Sequence, residues 1–268
     1  MDQHALEHYQ SFSESFPHAH YHRVIAMHEE PVVDWEETSQ LAPHLCRGWF
    51  ELARLPKQDR LEFIRDFWYT KFNSHPEFSN FLMKFFKNVD DIGVFLTQQC
   101  HEDIFEVQLV YSLSDNSGFF CGNPPIKENE IITLQKVFPD YILPADYLDF
   151  LRIHDGFAKF TDTGIKKSIQ MEESYQELQT VLIKGEPLRT TSGIAVNPKS
   201  LIPFYKSFNT PFFQCFCGEW YPDQEMGNVH YSQITHTISD FTKQSDSIET
   251  MAFDTFTDWL MFYLEKID

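Results

Sequence analysis

Phenylalanine is the residue that most constrains what this chain can fold into. The 268 residues include 27 Phe, and 16% of the chain is aromatic. Each buried aromatic ring removes about 150–250 Å² of surface from water, so this many rings can build a substantial core. We therefore expect a folded chain rather than a largely disordered one. Its length suits one large domain or two ordinary ones.

Acidic residues are spread over the whole chain. There are 21 basic and 40 acidic residues, which gives a net charge of −19. Up to residue 120 the counts are 9 basic and 19 acidic, and after it they are 12 and 21. This balance argues against a nucleic-acid partner, because phosphates are neutralised by Lys and Arg. It disfavours anionic membranes less strongly, since a local basic patch can still act at short range. A basic protein is the partner that fits best.

Reactive and metal-binding side chains do not form a recognisable site in the sequence. The five cysteines are dispersed and contain no CxxC pair, which indicates a reducing compartment rather than a disulfide framework. The histidines near the N-terminus lack the rigid frame that a structural metal site needs. No GxSxG, HExxH or Walker motif is present. We therefore expect no enzymatic activity, no cofactor and no metal.

The sequence predicts a cytoplasmic location. No segment approaches the roughly 18–20 apolar residues of a membrane span, and the N-terminus does not resemble a cleaved signal peptide. Export by a type III route is the alternative, because residues 1–22 are polar, contain Ser and have no Lys or Arg. An ordinary flexible terminus has the same composition.

Local patterns divide the first half of the chain into two regions. Residues 1–40 are polar and weakly periodic, which predicts a partly disordered leader. Residues 41–125 are predicted to be mainly helical, because apolar residues recur at spacings of three and four on either side of Pro56. A short helix is also predicted over residues 91–99. Alternating apolar residues predict a strand over residues 104–113.

The second half, residues 126–268, is predicted to form a separate α+β module. A helix is expected over Glu128–Val137 and another after Pro144, which suits the first turn of a helix. Short strand-like runs separated by Gly and Pro follow, and an amphipathic helix closes the chain. The predicted fold class is thus α+β, with a helical N-terminal region followed by a mixed sheet flanked by helices.

Four short motifs in the second half occur in a characteristic order. They are Leu143-Pro-Ala-Asp-Tyr-Leu-Asp-Phe-Leu151 with Asp155-Gly156, then Leu201-Ile-Pro203, then Phe213–Glu219 with Gly227–Tyr231, and finally Thr255–Leu260. This series resembles the SUKH superfamily, which relates yeast cell-wall assembly regulators to bacterial toxin-immunity proteins. Two departures are Asp155, where relatives usually have Asn, and the long polar segment 162–189. The first 120 residues have no counterpart in the resemblance.

The resemblance implies a non-catalytic protein-binding module in a bacterial protein. Members of the superfamily bind proteins, either as immunity proteins that neutralise toxins or as regulatory scaffolds. Their shared residues serve the fold and its turns, so that no catalytic set is carried over. Function does not follow from fold alone.

Five residues near these motifs are candidate partner contacts. They are Tyr147, Asp155, Phe157, Trp220 and Tyr221. Tyr and Trp are enriched at binding hot spots. The alternative for the aromatic residues is core packing, since an aromatic-rich chain must bury most of its rings, and for Asp155 it is a turn.

A second hypothesis is binding to anionic lipids at a membrane surface. It requires a local basic patch, and the evident cluster is Lys159, Lys166 and Lys167 around Gly164.

Overall fold

The chain forms an α+β structure with two compact units. The computed structural model describes residues 1–29, 34–73, 75–222, 224–242 and 250–265. One unit comprises Met1–Pro125 and Phe157–Phe160, and the other comprises Ile126–Gly156 and Thr161–Asp268. The boundary between the units after Pro125 lies at the position where the sequence analysis starts the second module. The later segment Phe157–Phe160 nevertheless belongs to the first unit. Within the described ranges, no helix is long and apolar enough to cross a bilayer.

The first unit combines helices with an antiparallel sheet. Its helices are α1 (Gln3–His8), α2 (Trp35–Leu41), α3 (Arg47–Leu52), α4 (Lys57–Lys71) and α5 (Pro76–Lys87). Its strands are β1 (Arg23–Ala26), β2 (Val89–Gln98), β3 (Glu106–Leu113), β4 (Phe119–Gly122) and β5 (Phe157–Lys159). The strands pair in the order β1-β2-β3-β4-β5, and each pair is antiparallel.

Helix α4 follows the apolar spacing of its sequence. It begins directly after Pro56, which cannot continue the preceding helix, and it buries Arg60, Ile64 and Trp68 at intervals of four. The guanidinium of Arg60 donates to the backbone carbonyls of Leu55 at 2.8 Å and Ile92 at 2.6 Å, and to Asp91 Oδ1 at 2.8 Å. This charge is therefore buried with its partners, as a buried charge requires.

The helix predicted over residues 91–99 is wrong, because these residues belong to β2. Nearly every residue of β2 is buried, so both faces of the strand are covered and the sequence has no polar-apolar alternation. Its neighbour β3 lies within the range 104–113 for which alternation predicts a strand.

The polar leader carries regular structure where its composition predicts partial disorder. Ala5 and Tyr9 are buried, and β1 pairs with β2 over four residues. Tyr9 stacks on Phe95 with ring centroids 4.2 Å apart, and its hydroxyl donates to Gln108 Oε1 at 2.6 Å. These long-range contacts hold a segment that local sequence alone does not specify.

The second unit has a mixed sheet with four helices in its described residues. The helices are α6 (Glu128–Val137), α7 (Ala145–Leu151), α8 (Met171–Lys184) and α9 (Phe256–Leu264). The strands are β6 (Gly164–Ile165), β7 (Arg189–Thr190), β8 (Leu201–Lys206), β9 (Phe212–Cys217), β10 (Asn228–Ser232), β11 (Thr237–Ile238) and β12 (Ala252–Phe253). The order is β6-β8-β9-β10-β11-β7, with β12 beside β10, and the β11–β7 pair is parallel.

Aromatic packing joins α7, α9 and the central strands of the second unit. Tyr147 contacts Phe216 and Phe256 with ring centroids 5.0 and 5.2 Å apart, and Phe204 stacks on Phe216 at 4.3 Å. At the start of α9, the Thr255 hydroxyl accepts from the backbone N–H of Asp258 at 3.0 Å, which caps the helix. The phenylalanine-rich composition is thus used to fill the core.

Candidate functional site

Two of the predicted contact residues are buried core residues. Tyr147 is fully buried in the second unit, where its hydroxyl lies 3.7 Å from Met171 Sδ. Phe157 is buried in the first unit and stacks on Phe120 with ring centroids 5.4 Å apart. A buried ring has no surface to offer a partner in this conformation. The prediction that these two residues bind a partner is corrected accordingly.

Asp155 stabilises the segment that leads into α8. Its Oδ1 accepts from the backbone N–H of Ser168 at 2.6 Å, and its Oδ2 accepts from the Ser168 hydroxyl at 2.8 Å. Burial raises the pKa of Asp155 above its ordinary value, although both bonds from Ser168 oppose the rise. These contacts give the side chain a structural role in the second unit.

The three lysines of the lipid hypothesis are divided between the units. Lys159 lies on β5 of the first unit, where its Nζ is 5.7 Å from the Phe120 ring centroid. Lys166 and Lys167 lie in the second unit. Burial, followed by the nearby charge of Lys206, lowers the pKa of Lys166. Neither unit therefore contains all three lysines.

Trp220 and Tyr221 lie together in the loop between β9 and β10, but they differ in exposure. Trp220 is half-buried and stacks on Phe241 with ring centroids 5.4 Å apart. Its ring also lies so close to Gly227 that a side chain at that position would overlap it. Tyr221 is 47% exposed. Trp220 thus packs the loop against the unit, and Tyr221 extends from it.

Two further tyrosines flank this loop. The Tyr141 ring packs directly on Gly218, where any side chain would overlap it. The hydroxyls of Tyr141 and Tyr175 both donate to the backbone carbonyl of Lys199, at 3.3 and 2.9 Å. Both rings are thereby held in place. The next residue after Tyr141, Ile142, is 80% exposed.

Together these residues form what we call the acidic tyrosine surface. Its members are Tyr141, Ile142, Tyr175, Glu219 and Tyr221. It is built by the loops 138–145 and 218–227 with the start of α8. The two loops contain four acidic residues and no Lys or Arg. One of these acids, Asp223, lies outside the described residues.

The carboxylates of the loops also support their backbone. Glu225 Oε2 accepts from the N–H of Ala145 at 2.9 Å, which ties one loop to the other. Glu219 Oε2 accepts from the N–H of Asn197 at 3.3 Å. Asp140 is exposed. The surface therefore combines a fixed backbone with acidic loops, and the exposed Lys199, whose carbonyl holds both tyrosines, is the basic residue beside them.

The local charge also acts on the tyrosines. Burial, followed by the charge of Asp140, raises the pKa of Tyr141, and Tyr221 and Glu219 raise it further. Burial and the neighbouring Tyr141 raise the pKa of Tyr175. Both phenols therefore stay protonated at neutral pH. Each hydroxyl already donates its one proton to the Lys199 carbonyl, so towards a partner it can accept a hydrogen bond.

The described residues contain no group of three or more His, Cys, Asp or Glu that could hold a metal ion. A scan against protein-family models finds no match to this chain, and a search of curated proteins finds none.

The sequence reasoning identified Tyr221 but missed Tyr141, Ile142 and Tyr175. Ile142 looks like a core residue because it lies in an apolar stretch before α7. The available signal was that both loops contain acidic residues and no Lys or Arg, which marks them as surface, together with two aromatic residues in each.

Proposed function

We propose that the second unit is a SUKH-type, non-catalytic protein-binding module and that it binds a basic protein through the acidic tyrosine surface. One observation carries the proposal: exposed Tyr221 and Ile142 lie on loops whose charged residues are all acidic. Exposed aromatic and aliphatic groups supply contact area, and the carboxylates attract positive charge.

The positions of the family-like motifs support the SUKH part of the proposal. The first motif includes α7, the second lies at the start of β8, the third spans β9 and β10, and the last begins α9. Motifs that each belong to one element, in the expected order, are consistent with a shared architecture. They support the fold resemblance and leave the partner to the surface chemistry.

The rigidity of the surface also supports binding. Tyr141 and Tyr175 are held by one carbonyl, and Trp220 anchors its loop on Phe241. Side chains that are ordered before binding lose less conformational entropy when a partner docks. A pre-ordered aromatic surface is therefore suited to specific recognition.

Two biological settings are compatible with such a module. A regulatory scaffold or a toxin-immunity-like binder would act in the bacterial cytoplasm, and many nuclease-like toxins are basic. The alternative is a protein associated with, or exported by, a type III secretion system. The additional first unit favours a scaffold, since an immunity protein needs only the binding module.

The lipid hypothesis has less support. Its three lysines are shared between two units, and both units carry an excess of acidic residues. The proposal therefore keeps a protein as the partner.

The test is an affinity capture followed by a quantitative binding measurement. The full chain serves as bait, because β5 belongs to the first unit although it follows α7. Captured proteins are purified and titrated against the wild type, Tyr221→Ala and the double variant Ile142→Ala/Tyr221→Ala. Ile234→Ala is the matched control, since Ile234 is also exposed but lies in the loop between β10 and β11.

The proposal expects a basic partner that binds saturably and more weakly as salt is added. Tyr221→Ala should weaken binding by about tenfold or more, the size of a hot-spot loss, whereas Ile234→Ala should not. An acidic partner, or equal binding by all variants, would overturn the assignment of this surface. Catalytic turnover of the partner would overturn the non-catalytic assignment.

A further inference from the structure

The N-terminal segment covers an apolar face of the first unit's sheet. We call residues 3–26 the strap; they contain α1 and β1. Its buried residues Ala5 and Tyr9 pack against Phe95, Val110 and Phe119, from β2, β3 and β4. The strap is also held by the pairing of β1 with β2 over four residues.

His8 lies inside a group of rings. Its ring centroid is 4.7 Å from His20, 4.9 Å from Tyr9 and 5.4 Å from Phe119. Tyr21 is 5.6 Å away, and its hydroxyl is 3.3 Å from His8 Nε2. The imidazole thus joins both ends of the strap to the sheet.

Two acidic side chains near His8 in sequence, Glu7 of the strap and Asp2 before it, contact other residues. On α1, Glu7 Oε1 accepts from Gln3 Nε2 at 2.8 Å, and the N-cap Asp2 Oδ1 lies 3.0 Å from His4 Nδ1.

The sheet contributes two titratable groups near the rings. From β3, Glu106 acts electrostatically on Tyr21, and from β4 Cys121 acts on Tyr9 and Tyr21. The second imidazole, His20, is the charged neighbour that acts on His8. A proton on His8 would therefore be poorly compensated.

We propose that the strap is an acid-sensitive cover, which opens when His8, packed among aromatic rings and beside His20, becomes protonated and which then exposes the apolar sheet face of Phe95, Val110 and Phe119. The opening follows from geometry, because a proton on the His8 ring is held among aromatic rings with little access to water and lies beside the exposed His20 imidazole, with ring centroids 4.7 Å apart. This proposal concerns the first unit alone and does not depend on the partner of the second.

The direction of the pH dependence follows from the titration of His8. Burial, and then the charge of His20, lower its pKa from 6.5 to about 4. His8 binds a proton more readily when the strap is open than when it is closed. The closed strap is therefore most stable at pH values above the ordinary pKa of His8, 6.5. Its stability decreases as the pH falls from about 6.5 towards 4.

Hydrogen exchange with mass spectrometry on the full chain tests the proposal. Labelling at about pH 7.5 and about pH 5.8, corrected for the intrinsic exchange rate, keeps the experiment above the isoelectric point near 4.9. The strap amides should exchange about threefold to fivefold faster at the lower pH. Amides of α4 are the internal control and should not change.

Three variants make the test specific. His8→Phe keeps a ring in the aromatic group and should abolish the acid response. His20→Gln should reduce it, and His18→Gln, at an exposed position outside the group of rings, should respond like the wild type. An equal acid response in His8→Phe, or none in the wild type, would overturn the proposal. If His8→Phe does not fold, an undiminished response in His20→Gln overturns it.

Discussion

Asp146 Oδ2 accepts a hydrogen bond from the backbone N–H of Thr257 at 2.8 Å, although 111 residues separate the two in sequence. Thr257 lies in the first turn of α9, where backbone N–H groups have no partner within the helix. The other carboxylate oxygen of Asp146 accepts from the N–H of Tyr147 at 2.8 Å. One buried side chain of α7 thus caps the final helix of the second unit.

Asp146→Asn is expected to destabilise the protein in spite of its near-identical shape. Both carboxylate oxygens accept hydrogen bonds, whereas an amide places an NH₂ group against one of the two N–H donors. We expect a loss of about 1–3 kcal/mol in the free energy of unfolding, measured by urea titration. Asp149→Asn, which weakens a half-buried ion pair with Arg152, is the control and should cost less than about 1 kcal/mol. Equal losses would contradict the capping role.

The buried ion pair of the first unit gives a second prediction. Asp91→Ala leaves the Arg60 guanidinium buried without its carboxylate, so the free energy of unfolding should fall by about 3–5 kcal/mol. Lys57→Ala breaks the exposed pair between Lys57 and Asp90 and should cost about 1 kcal/mol or less. Thermal unfolding of both variants checks this, and a small effect of Asp91→Ala would show that water reaches Arg60.

Asp155→Asn is expected to be neutral or stabilising. Asn can accept from the Ser168 N–H and donate to the Ser168 hydroxyl, and it buries no charge. Because the folded state raises the pKa of Asp155, the wild type is favoured at low pH and loses stability as the pH rises through that pKa. The advantage of Asn should therefore be larger at about pH 7 than at about pH 4. Urea titrations at both pH values measure it, and a constant difference would contradict the titration of Asp155.

Charge reversal on the acidic tyrosine surface should slow association with a basic partner. Asp140 is exposed, so Asp140→Lys changes the local charge with little effect on folding. The association rate constant should fall by about twofold to tenfold at low salt, and less at high salt. Glu186→Lys, beyond the end of α8, makes the same change in net charge elsewhere. Stopped-flow measurements in which both variants slow equally would indicate a general charge effect instead of a local one.

The sequence predicted the helices that bury one face, because such a helix has a regular spacing of apolar residues. Helix α4 buries every fourth residue, and α9 begins with a Thr cap and continues with a nearly unbroken apolar face. Strand β2 was not predicted, because burial on both faces removes the alternation of polar and apolar residues that indicates a strand. Helix α1 was not predicted because the residue that follows it, Tyr9, is held by contacts distant in sequence, such as Gln108 at a separation of 99.

The candidate site was only partly accessible from sequence. Tyr147 and Tyr221 are the same residue type, and both lie beside family-like motifs, yet one is fully buried and the other is 47% exposed. That difference is set by the packing of Phe204, Phe216 and Phe256 around Tyr147. Burial depends on tertiary contacts, so a sequence motif could nominate both tyrosines but could not separate them.

Because strand β5 belongs to the first unit but follows α6 and α7 in the chain, the ribosome begins the second unit before it has finished the first. The first unit contains residues up to Pro125 and then Phe157–Phe160, so its last strand emerges from the ribosome only after α6 and α7 of the second unit. Until then, Phe120 has no Phe157 to stack on, and the outer edge of β4 has no strand beside it. Vectorial synthesis therefore cannot complete one unit before the other begins, and nascent chains stalled before residue 157 should be the ones that need a chaperone.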